Sequence, residues 1–423
     1  MKTRSLKPQS AKSRGTLRGL LVAMNCGISY IFCYNLRNIL SALMPTILKS
    51  GDFTESQLGR FGSYMLIFYA CGQFINGILG DRLRRPQIML FLGLFISGAC
   101  AMLFCLPAAK PLGNLLWAVI GFSLSMLWGP ISRIIVETSD ESHAVTYLTA
   151  MAFASTSGQF LAYLLAVFAA RAGLWRVYLF SGGLCTAVAA VVIYLFVSHV
   201  LGKTAEKPPA EDQVHESFLQ KLGLSALAQE FRHKYFSLMI AVTMLNGIIK
   251  HGAFYWIPTY FSVRLGLGNG IATAVSTIIP IVSILGVLLG LALFRKVKND
   301  IFTLFLLFSI TVAAFLLSIF SDTGPYLTVF GMLLGGAAMS SANNLIFSAY
   351  CLRFKAGGHV SGISGFLDAA CYLASAIANL VFTFTISNVG WDFTVITWIV
   401  FAACGVGLSF LADHFARSET EYS

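Results

Sequence analysis

Twelve apolar stretches, each long enough to cross a lipid bilayer as a helix, constrain the fold of this chain most strongly. Hydrophobic residues make up 57% of its 423 residues and charged residues only 11%, and the mean hydropathy of +0.76 excludes an ordinary soluble protein. A membrane-spanning helix needs about 20 apolar residues, and the stretches that qualify are roughly 18–47, 55–80, 85–106, 112–136, 144–170, 175–199, 236–263, 267–294, 301–320, 325–352, 358–386 and 391–412. We therefore predict an all-α membrane protein with twelve transmembrane helices.

A polar interruption at 200–234 divides these stretches into two groups of six. It contains Pro208, Pro209 and a run of acidic and basic residues, and we interpret it as a linker with a short amphipathic piece. The predicted domains are a six-helix bundle at 1–199, a cytoplasmic linker at 200–234 and a second six-helix bundle at 235–423. The basic, serine-rich start of the chain is interpreted as a cytoplasmic tail, because the apolar stretch after it is too long for a signal-peptide core.

The net charge of +11 would suggest a nucleic-acid partner in a soluble protein, but its distribution indicates a membrane protein. Most Lys and Arg residues lie in the tails and in the loops on one side of the predicted membrane. The residues at or near the other side are Lys49, Arg60, Lys110, Arg171, Arg176 and Arg264. This is the positive-inside pattern. It predicts a multi-pass protein of the cell (inner) membrane with both termini cytoplasmic. The expected partners are the lipid bilayer and a small molecule, without nucleic acid, and we expect a monomer.

Two cations lie inside predicted spans. Arg37 stands in the stretch FCYNLRNILSALMPT, and Lys250 stands in GIIKHGAFYWIPT. A charge at this depth is costly in a membrane, which favours a functional role. Each of the two residues precedes a Pro-Thr pair by the same number of positions, so both are expected at a similar depth. Two buried cations in matching halves predict one binding site for a small anion.

The second half of the chain repeats landmarks of the first half. A constant offset separates four pairs of residues: Arg37 and Lys250, Pro45 and Pro258, Gly77 and Gly290, and Arg82 and Arg295. The second copy has Phe294 at the position that corresponds to Asp81. Such an offset predicts two parallel halves related by a pseudo-twofold axis along the membrane normal.

The loop after the second span, GILGDRLRRP, has the spacing Gly-x-x-x-Asp-Arg-x-x-Arg. This pattern resembles the loop signature of the major facilitator superfamily, although Arg84 stands where the family usually has glycine. The resemblance implies the major facilitator fold, in which twelve helices form two pseudo-symmetric six-helix bundles. It also implies a gate in which Asp81 pairs with Arg133, while an interfacial arginine that reaches the membrane surface stays an equal alternative. The predicted gating residues are Gly77, Asp81, Arg82, Arg85 and Arg133.

Within that superfamily the chain most resembles the organophosphate:phosphate antiporters. The resemblance rests on Arg37 followed by SALMP, on a cation before WIPTYF and on GWDF at 390–393. It implies a phosphate site to which each half supplies one basic residue, here Arg37 and Lys250. The chain departs from that family in two places. Lysine replaces the common second arginine, and an apolar residue, Phe153, stands near the position of the family's binding histidine.

Asp368 is the one acidic residue placed deep in the second half of the chain. It is expected to pair with a cation such as Lys250 or to accept a proton, with a role confined to helix packing as the alternative. Lys250 offers a point charge rather than the two-pronged contact of arginine, so carboxylate substrates stay open beside phosphates. The predicted substrate-binding residues are Arg37, Lys250, Tyr34, Ser41, Asn246, Trp256, Asn343 and Asp368.

Four other functions are alternatives to transport of an organophosphate. A proton- or cation-coupled symporter of carboxylates such as hexuronates normally lacks the cation in the seventh helix, and a drug exporter would have acidic residues in its first half. A transporter-like sensor of sugar phosphates would share every motif above. An enzyme is not expected, because no nucleophile and base, metal cluster or phosphate-binding loop stands out. The nine cysteines include no CxxC pair and are interpreted as buried apolar residues, so no metal or cofactor is predicted.

Overall fold

The computed structural model describes residues 9–83, 85–139, 141–201, 234–320, 324–351, 353 and 360–421. Its described residues form helices joined by short turns. The helices of the first half are α1 (Gln9–Ser50), α2 (Glu55–Arg82), α3 (Gln87–Phe104), α4 (Gly113–Leu124 and Trp128–Thr138), α5 (Glu141–Ala172) and α6 (Trp175–Leu201). The linker predicted at 200–234 and its amphipathic piece lie almost entirely outside the described residues.

The described residues of the second half also form six helices, four of which are built from successive segments. They are α7 (Lys234–Gly247, Ile248–Ala253, Phe254–Thr259 and Tyr260–Arg264), α8 (Asn269–Ser276 and Ile278–Val297), α9 (Asp300–Leu316 and Leu317–Phe320), α10 (Pro325–Leu345 and Ile346–Tyr350), α11 (Val360–Asn388) and α12 (Trp391–Glu421). We call the end of the bundle that carries the α1–α2 turn the turn end. The opposite end, where α1 begins and α12 ends, is the terminal end.

Each predicted span coincides with one of these helices. Ten helical stretches are long and apolar enough to cross a membrane by length and composition alone, and Asp300–Leu316 is a shorter apolar helix. The remaining helix, α2, has 28 residues. The prediction of an all-α membrane protein is therefore confirmed, and the described helices fall into the two groups of six that the major facilitator fold requires. The break in α4 falls just before Pro130, where a residue without an N–H group interrupts the helical hydrogen bonds.

Large apolar side chains cover much of the outer surface of the bundle. Leu289 and Phe384, for example, are 72% and 64% exposed, as expected for side chains that face lipid. This placement corrects one sequence interpretation. Of the nine cysteines, Cys71, Cys185 and Cys404 are exposed rather than buried, because the lipid-facing side of a membrane helix is as apolar as its packed side and hydropathy does not distinguish the two.

Two glycines allow close contacts of the two helices, α1 and α7, that carry the predicted cations. A Cβ atom at Gly158 of α5 would collide with the backbone carbonyl of Ile31 in α1, and one at Gly247 of α7 would collide with the carbonyl of Cys371 in α11. Small residues at membrane helix contacts let two backbones approach closely. Each half thus packs one cation-bearing helix directly against a neighbour, α1 against α5 and α7 against α11.

A carboxylate ties together three turns of the first half at the turn end. Asp52, in the α1–α2 turn, lies 2.6 Å from Nη2 of Arg176 and 3.2 Å from Nζ of Lys110. The indole of Trp175 and the hydroxyl of Ser50 donate further hydrogen bonds to it at 3.1 and 3.0 Å. Burial alone would raise the pKa of the Asp52 carboxyl, but these hydrogen bonds and the charge of Arg176 hold its pKa below the usual value.

The Asp52→Asn variant should test this network. Hydrogen bonds to a charged group, discounted for the exposure of the two cations, predict a loss of about 1–2 kcal/mol in the free energy of unfolding at neutral pH. Because the pKa is lowered in the folded state, this stabilisation is complete above the unfolded pKa of about 3.9 and is lost as the pH falls through the folded value. Tm measured in detergent should therefore fall more steeply below pH 4 for wild type than for Asp52→Asn. Parallel Tm profiles would contradict this account.

Candidate functional site

Arg37 of α1 lies at the centre of the bundle in a cage of aromatic rings. Its side chain is buried, and its guanidinium carbon lies 5.4 Å from the ring centroid of Tyr34, 4.4 Å from that of Tyr69 and 4.6 Å from that of Tyr372. Cations are attracted to aromatic faces at such distances. Tyr69 belongs to α2 and Tyr372 to α11, so helices from both halves hold this one cation.

The guanidinium of Arg37 has a hydrogen-bond donor that is not used. Its Nη1 is buried without a hydrogen-bond partner, and in the described part of the chain no carboxylate lies at ion-pair distance from it. A buried charge without a counter-ion is costly, and so is an unpaired buried donor. The arrangement is one that an anionic ligand would complete.

Lys250 lies in a widened turn of α7. The segment Ile248–Ala253 is π-helical, as is Tyr260–Arg264, and Pro258 stands between the two. Proline disrupts the regular helical hydrogen bonds, and π-helical turns are frequent at functional sites. Lys250 is partly exposed in this turn.

Asp368 of α11 is also partly exposed and lies near both cations. The charges of Arg37, Lys250 and Asp368 are close enough to interact electrostatically. Within the described residues, however, Lys250 and Asp368 form no ion pair at contact distance. The structure thus brings together three of the residues that the sequence singled out, and the pairing of Asp368 with Lys250 is not formed in it.

The sequence reasoning missed His251, the residue after Lys250. Its imidazole lies 4.9 Å from the ring of Tyr372, centroid to centroid, with an interplanar angle of 31°. Tyr372 also contacts the guanidinium of Arg37, so the same phenol ring touches both residues. The adjacency of His251 to Lys250 was the only available signal, and it does not tell which way the ring points.

At the turn end of the site, α7 is bonded to the first half. The hydroxyl of Tyr255 donates to the carbonyl of Leu58 in α2 at 2.8 Å. The hydroxyl of Ser41 in α1 donates to the backbone carbonyl of Tyr255 at 2.6 Å. The hydroxyl of Ser41, which was predicted to bind substrate, therefore forms a hydrogen bond between the two halves.

Asn379 of α11 forms a second connection between the halves. Its amide nitrogen donates to the carbonyl of Gly59 at 3.0 Å and to the hydroxyl of Ser63 at 2.9 Å, both in α2. Its amide oxygen accepts from the indole of Trp256 at 2.7 Å. Trp256 is fully buried, so this predicted binding residue also lies in the contact between halves. All these groups lie between the candidate site and the turn end, and breaking their bonds without replacement would be costly.

The other predicted binding residues have separate places. Tyr34 contacts Arg37. Asn246 is fully buried, and its amide donates to the carbonyl of Met339 in α10 at 2.9 Å. Asn343 is partly exposed in α10, and Phe153 of α5 is 59% exposed. A role in substrate binding stays a prediction for Tyr34, Asn246 and Asn343.

The predicted gate at the terminal end is described only in part. Arg133 donates to the carboxylate of Glu137 at 2.7 Å and to the carbonyl of Leu83 at 3.0 Å, while Arg85 is exposed. Gly77, Asp81 and Arg82 lie within α2, but the placement of their side chains is outside the described set. The Asp81–Arg133 pair thus stays a prediction. Groups of His, Cys, Asp or Glu that could hold a metal are absent from the described residues.

Comparison with known proteins gives matches over most of the chain. The family model described as Major Facilitator Superfamily matches residues 26–370. A probable hexose phosphate transport protein of Chlamydia muridarum is 24% identical over 86% of this chain and 84% of its own. A protein of the same description from Chlamydia trachomatis is 29% identical over 28% of this chain and 26% of its own length. That alignment thus spans about a quarter of the relative. The membrane sensor protein UhpC of Salmonella typhimurium is 30% identical over 26% of this chain and 25% of its own length.

Solved structures with the same fold cover nearly the whole chain. A bacterial homologue of the human lysosomal transporter Spinster has a TM-score of 0.75 at 14% identity, covering 94% of this chain and 97% of its own. A mutant form of the nucleoside transporter NupG has a TM-score of 0.72 at 17% identity, covering 93% and 99%. At these identities the likeness shows the fold alone. The relatives are transporters and a membrane sensor, so the prediction of a protein other than an enzyme is confirmed, and they fit the predicted resemblance to organophosphate:phosphate antiporters.

Proposed function

We propose that this chain, which belongs to the Major Facilitator Superfamily, moves a small organic anion across the membrane by alternating access. The proposed substrate is a sugar phosphate or glycerol phosphate, exchanged for inorganic phosphate. One observation carries the proposal. The buried guanidinium of Arg37, held by rings from both halves, has a donor without a partner.

The charges around Arg37 favour a phosphate group as the ligand. A phosphate monoester carries about −1.5 to −2 near neutral pH, and Arg37 with Lys250 supplies two positive charges. Arginine binds an oxyanion through two parallel hydrogen bonds, whereas lysine adds a point charge. Asp368 lies near both cations, which makes it the residue that would respond electrostatically to a bound anion.

Exchange of anions follows from the same charges. When the site is empty, Arg37 and Lys250 repel each other, and this repulsion disfavours closure of the two halves around the empty site. A bound anion removes that repulsion and allows the site to reorient. The hydrogen bonds of Tyr255 and Asn379 to α2 would have to break in each cycle, when the turn end opens.

The comparisons and the distribution of charge support the remaining parts of the proposal. Hexose phosphate transport is the description of the relative that aligns with most of the chain. We place the chain as a monomer in the cell (inner) membrane with both termini and the 200–234 linker in the cytoplasm, because Lys and Arg accumulate in the tails and in the loops of the terminal end.

A second function is a sensor that binds a sugar phosphate without moving it. The specific observation in its favour is the 30% identity with the membrane sensor protein UhpC over 26% of the chain. Binding and transport must therefore be measured separately.

Purified protein reconstituted into phosphate-loaded liposomes tests both functions. We expect uptake of radiolabelled glucose 6-phosphate that depends on internal phosphate, with little uptake of glucuronate. Isothermal titration of glucose 6-phosphate into the detergent-purified protein gives binding independently. Binding without uptake would support the sensor. Uptake of glucuronate in preference to glucose 6-phosphate would indicate a carboxylate symporter, and absence of both binding and uptake would overturn the anion site.

A further inference from the structure

His251 of α7 lies beside the candidate site and packs against Tyr372 of α11. It follows Lys250 in the π-helical turn of α7, its ring lies 4.9 Å from that of Tyr372, and Tyr372 contacts Arg37. The residue as a whole is partly exposed. It is thus a titratable group beside the proposed binding site, and none of the roles assigned above uses it.

The charged groups around His251 come from three helices. Within the described residues, Lys250 on its own helix and Arg37 on α1 act on it electrostatically. Asp368 on α11 acts on both of those cations. The phenols of Tyr34, Tyr69 and Tyr372 complete the surroundings of Arg37.

When Asp368 is ionised, the charges of the site do not balance a doubly charged anion. Arg37 and Lys250 contribute two positive charges and an ionised Asp368 one negative charge, so the site is one positive charge short of balancing a phosphate dianion. Two neighbouring cations oppose a third positive charge on His251 while the site is empty. A dianion bound beside them removes that opposition.

We propose that His251 is a further binding residue of this site, which takes up a proton when a doubly charged anion binds and donates a hydrogen bond to it. The proton comes from solution when the anion binds, and it returns to solution when the anion leaves. The second charge of the substrate is thus recognised by a group that is charged only in the occupied site. This inference rests on the proposed anion site and adds to it a preference for dianions over monoanions.

Proton uptake on binding tests the proposal directly. Glucose 6-phosphate is titrated calorimetrically into the detergent-purified protein at about pH 8, where the phosphate monoester is almost entirely a dianion because its second pKa is about 6. Repeating the titration in buffers of different ionisation enthalpy gives the number of protons taken up. We expect wild type to take up a proton and His251→Phe to take up none.

Two variants separate protonation from packing. His251→Phe keeps a ring against Tyr372 but has no ionisable group, whereas His251→Asn keeps a hydrogen-bond donor and loses the ring. We expect both to bind glucose 6-phosphate more weakly, His251→Phe by about tenfold to a hundredfold, which corresponds to one hydrogen bond to a charged group. Affinity for the monoanion glucuronate should change little in His251→Phe, so the preference for the dianion should fall by the same factor.

Other proton acceptors are identified by the same measurement. If proton uptake persists in His251→Phe and disappears in Asp368→Asn or Lys250→Arg, the acceptor is one of those residues and the proposal is overturned. Binding by wild type without any proton uptake would also overturn it while leaving the proposed anion site intact. If wild type binds no glucose 6-phosphate at all, the proposed function and this inference fail together.

Discussion

The Arg37→Lys variant should lose at least a hundredfold in affinity for glucose 6-phosphate and show no measurable exchange against phosphate. Lysine keeps the charge, but it cannot form two parallel hydrogen bonds to an oxyanion or present a planar group to the rings of Tyr69 and Tyr372. A loss of this size corresponds to about 3 kcal/mol. Calorimetric titration and uptake into phosphate-loaded liposomes measure the two quantities.

The reverse exchange in the other half provides the matched comparison. Lys250→Arg also keeps the charge and adds hydrogen-bonding capacity, and the described residues form no aromatic cage around Lys250 of the kind that surrounds Arg37. We expect it to retain exchange and to bind within about tenfold of wild type. Wild-type affinity in Arg37→Lys would contradict the assignment of Arg37 as the principal ligand. Equal losses in both variants would show that the site responds to any change at the two cations.

The Gly247→Val variant should disrupt the site from a distance. The new side chain would collide with the backbone carbonyl of Cys371, which cannot yield as a flexible side chain would, so α7 and α11 must separate. Overpacking of this kind costs about 1–3 kcal/mol, and it would move Lys250 away from Asp368 and His251 away from Tyr372. We expect a lower Tm in detergent, followed by intrinsic tryptophan fluorescence, and loss of glucose 6-phosphate exchange.

Gly407→Val in α12 is the control for this substitution. It introduces the same β-branched residue into a helix, but a Cβ atom at Gly407 meets nothing within 4 Å. Tm and exchange should therefore stay close to wild type. Equal effects of the two substitutions would mean that the loss of glycine, rather than the helix contact, decides the outcome.

Several features of the site were predictable because they depend on local composition. Arg37 and Lys250 stand out since a charge inside an apolar stretch is rare at any depth in a membrane. Tyr34 was predictable because it precedes Arg37 by one helical turn and shares its face. Ser41 lies one turn after Arg37, and its hydroxyl is bonded to Tyr255 of the other half, so its role in substrate binding stays a prediction.

The remaining parts of the site could not be predicted from local pattern. Tyr69, Tyr372 and Asn379 are polar residues in apolar helices, and such residues are common in membrane proteins without any role in binding. Their importance arises from contacts between helices that are far apart in the chain. The cysteines illustrate the same limit, since hydropathy does not separate the lipid-facing side of a helix from the packed one.

By itself the sequence predicted that this chain crosses a membrane about twelve times, that its halves repeat and that each half carries one cation at similar depth. These properties follow from hydropathy and spacing along a single helix, where the bilayer is the dominant partner. Only the tertiary structure decided which helices meet. The ring cage around Arg37, the place of His251 beside Tyr372 and the bonds of Asn379 to α2 all join residues of different helices. Packing between helices in lipid depends on small residues and a few polar contacts, and a single sequence does not reveal which of these contacts are formed.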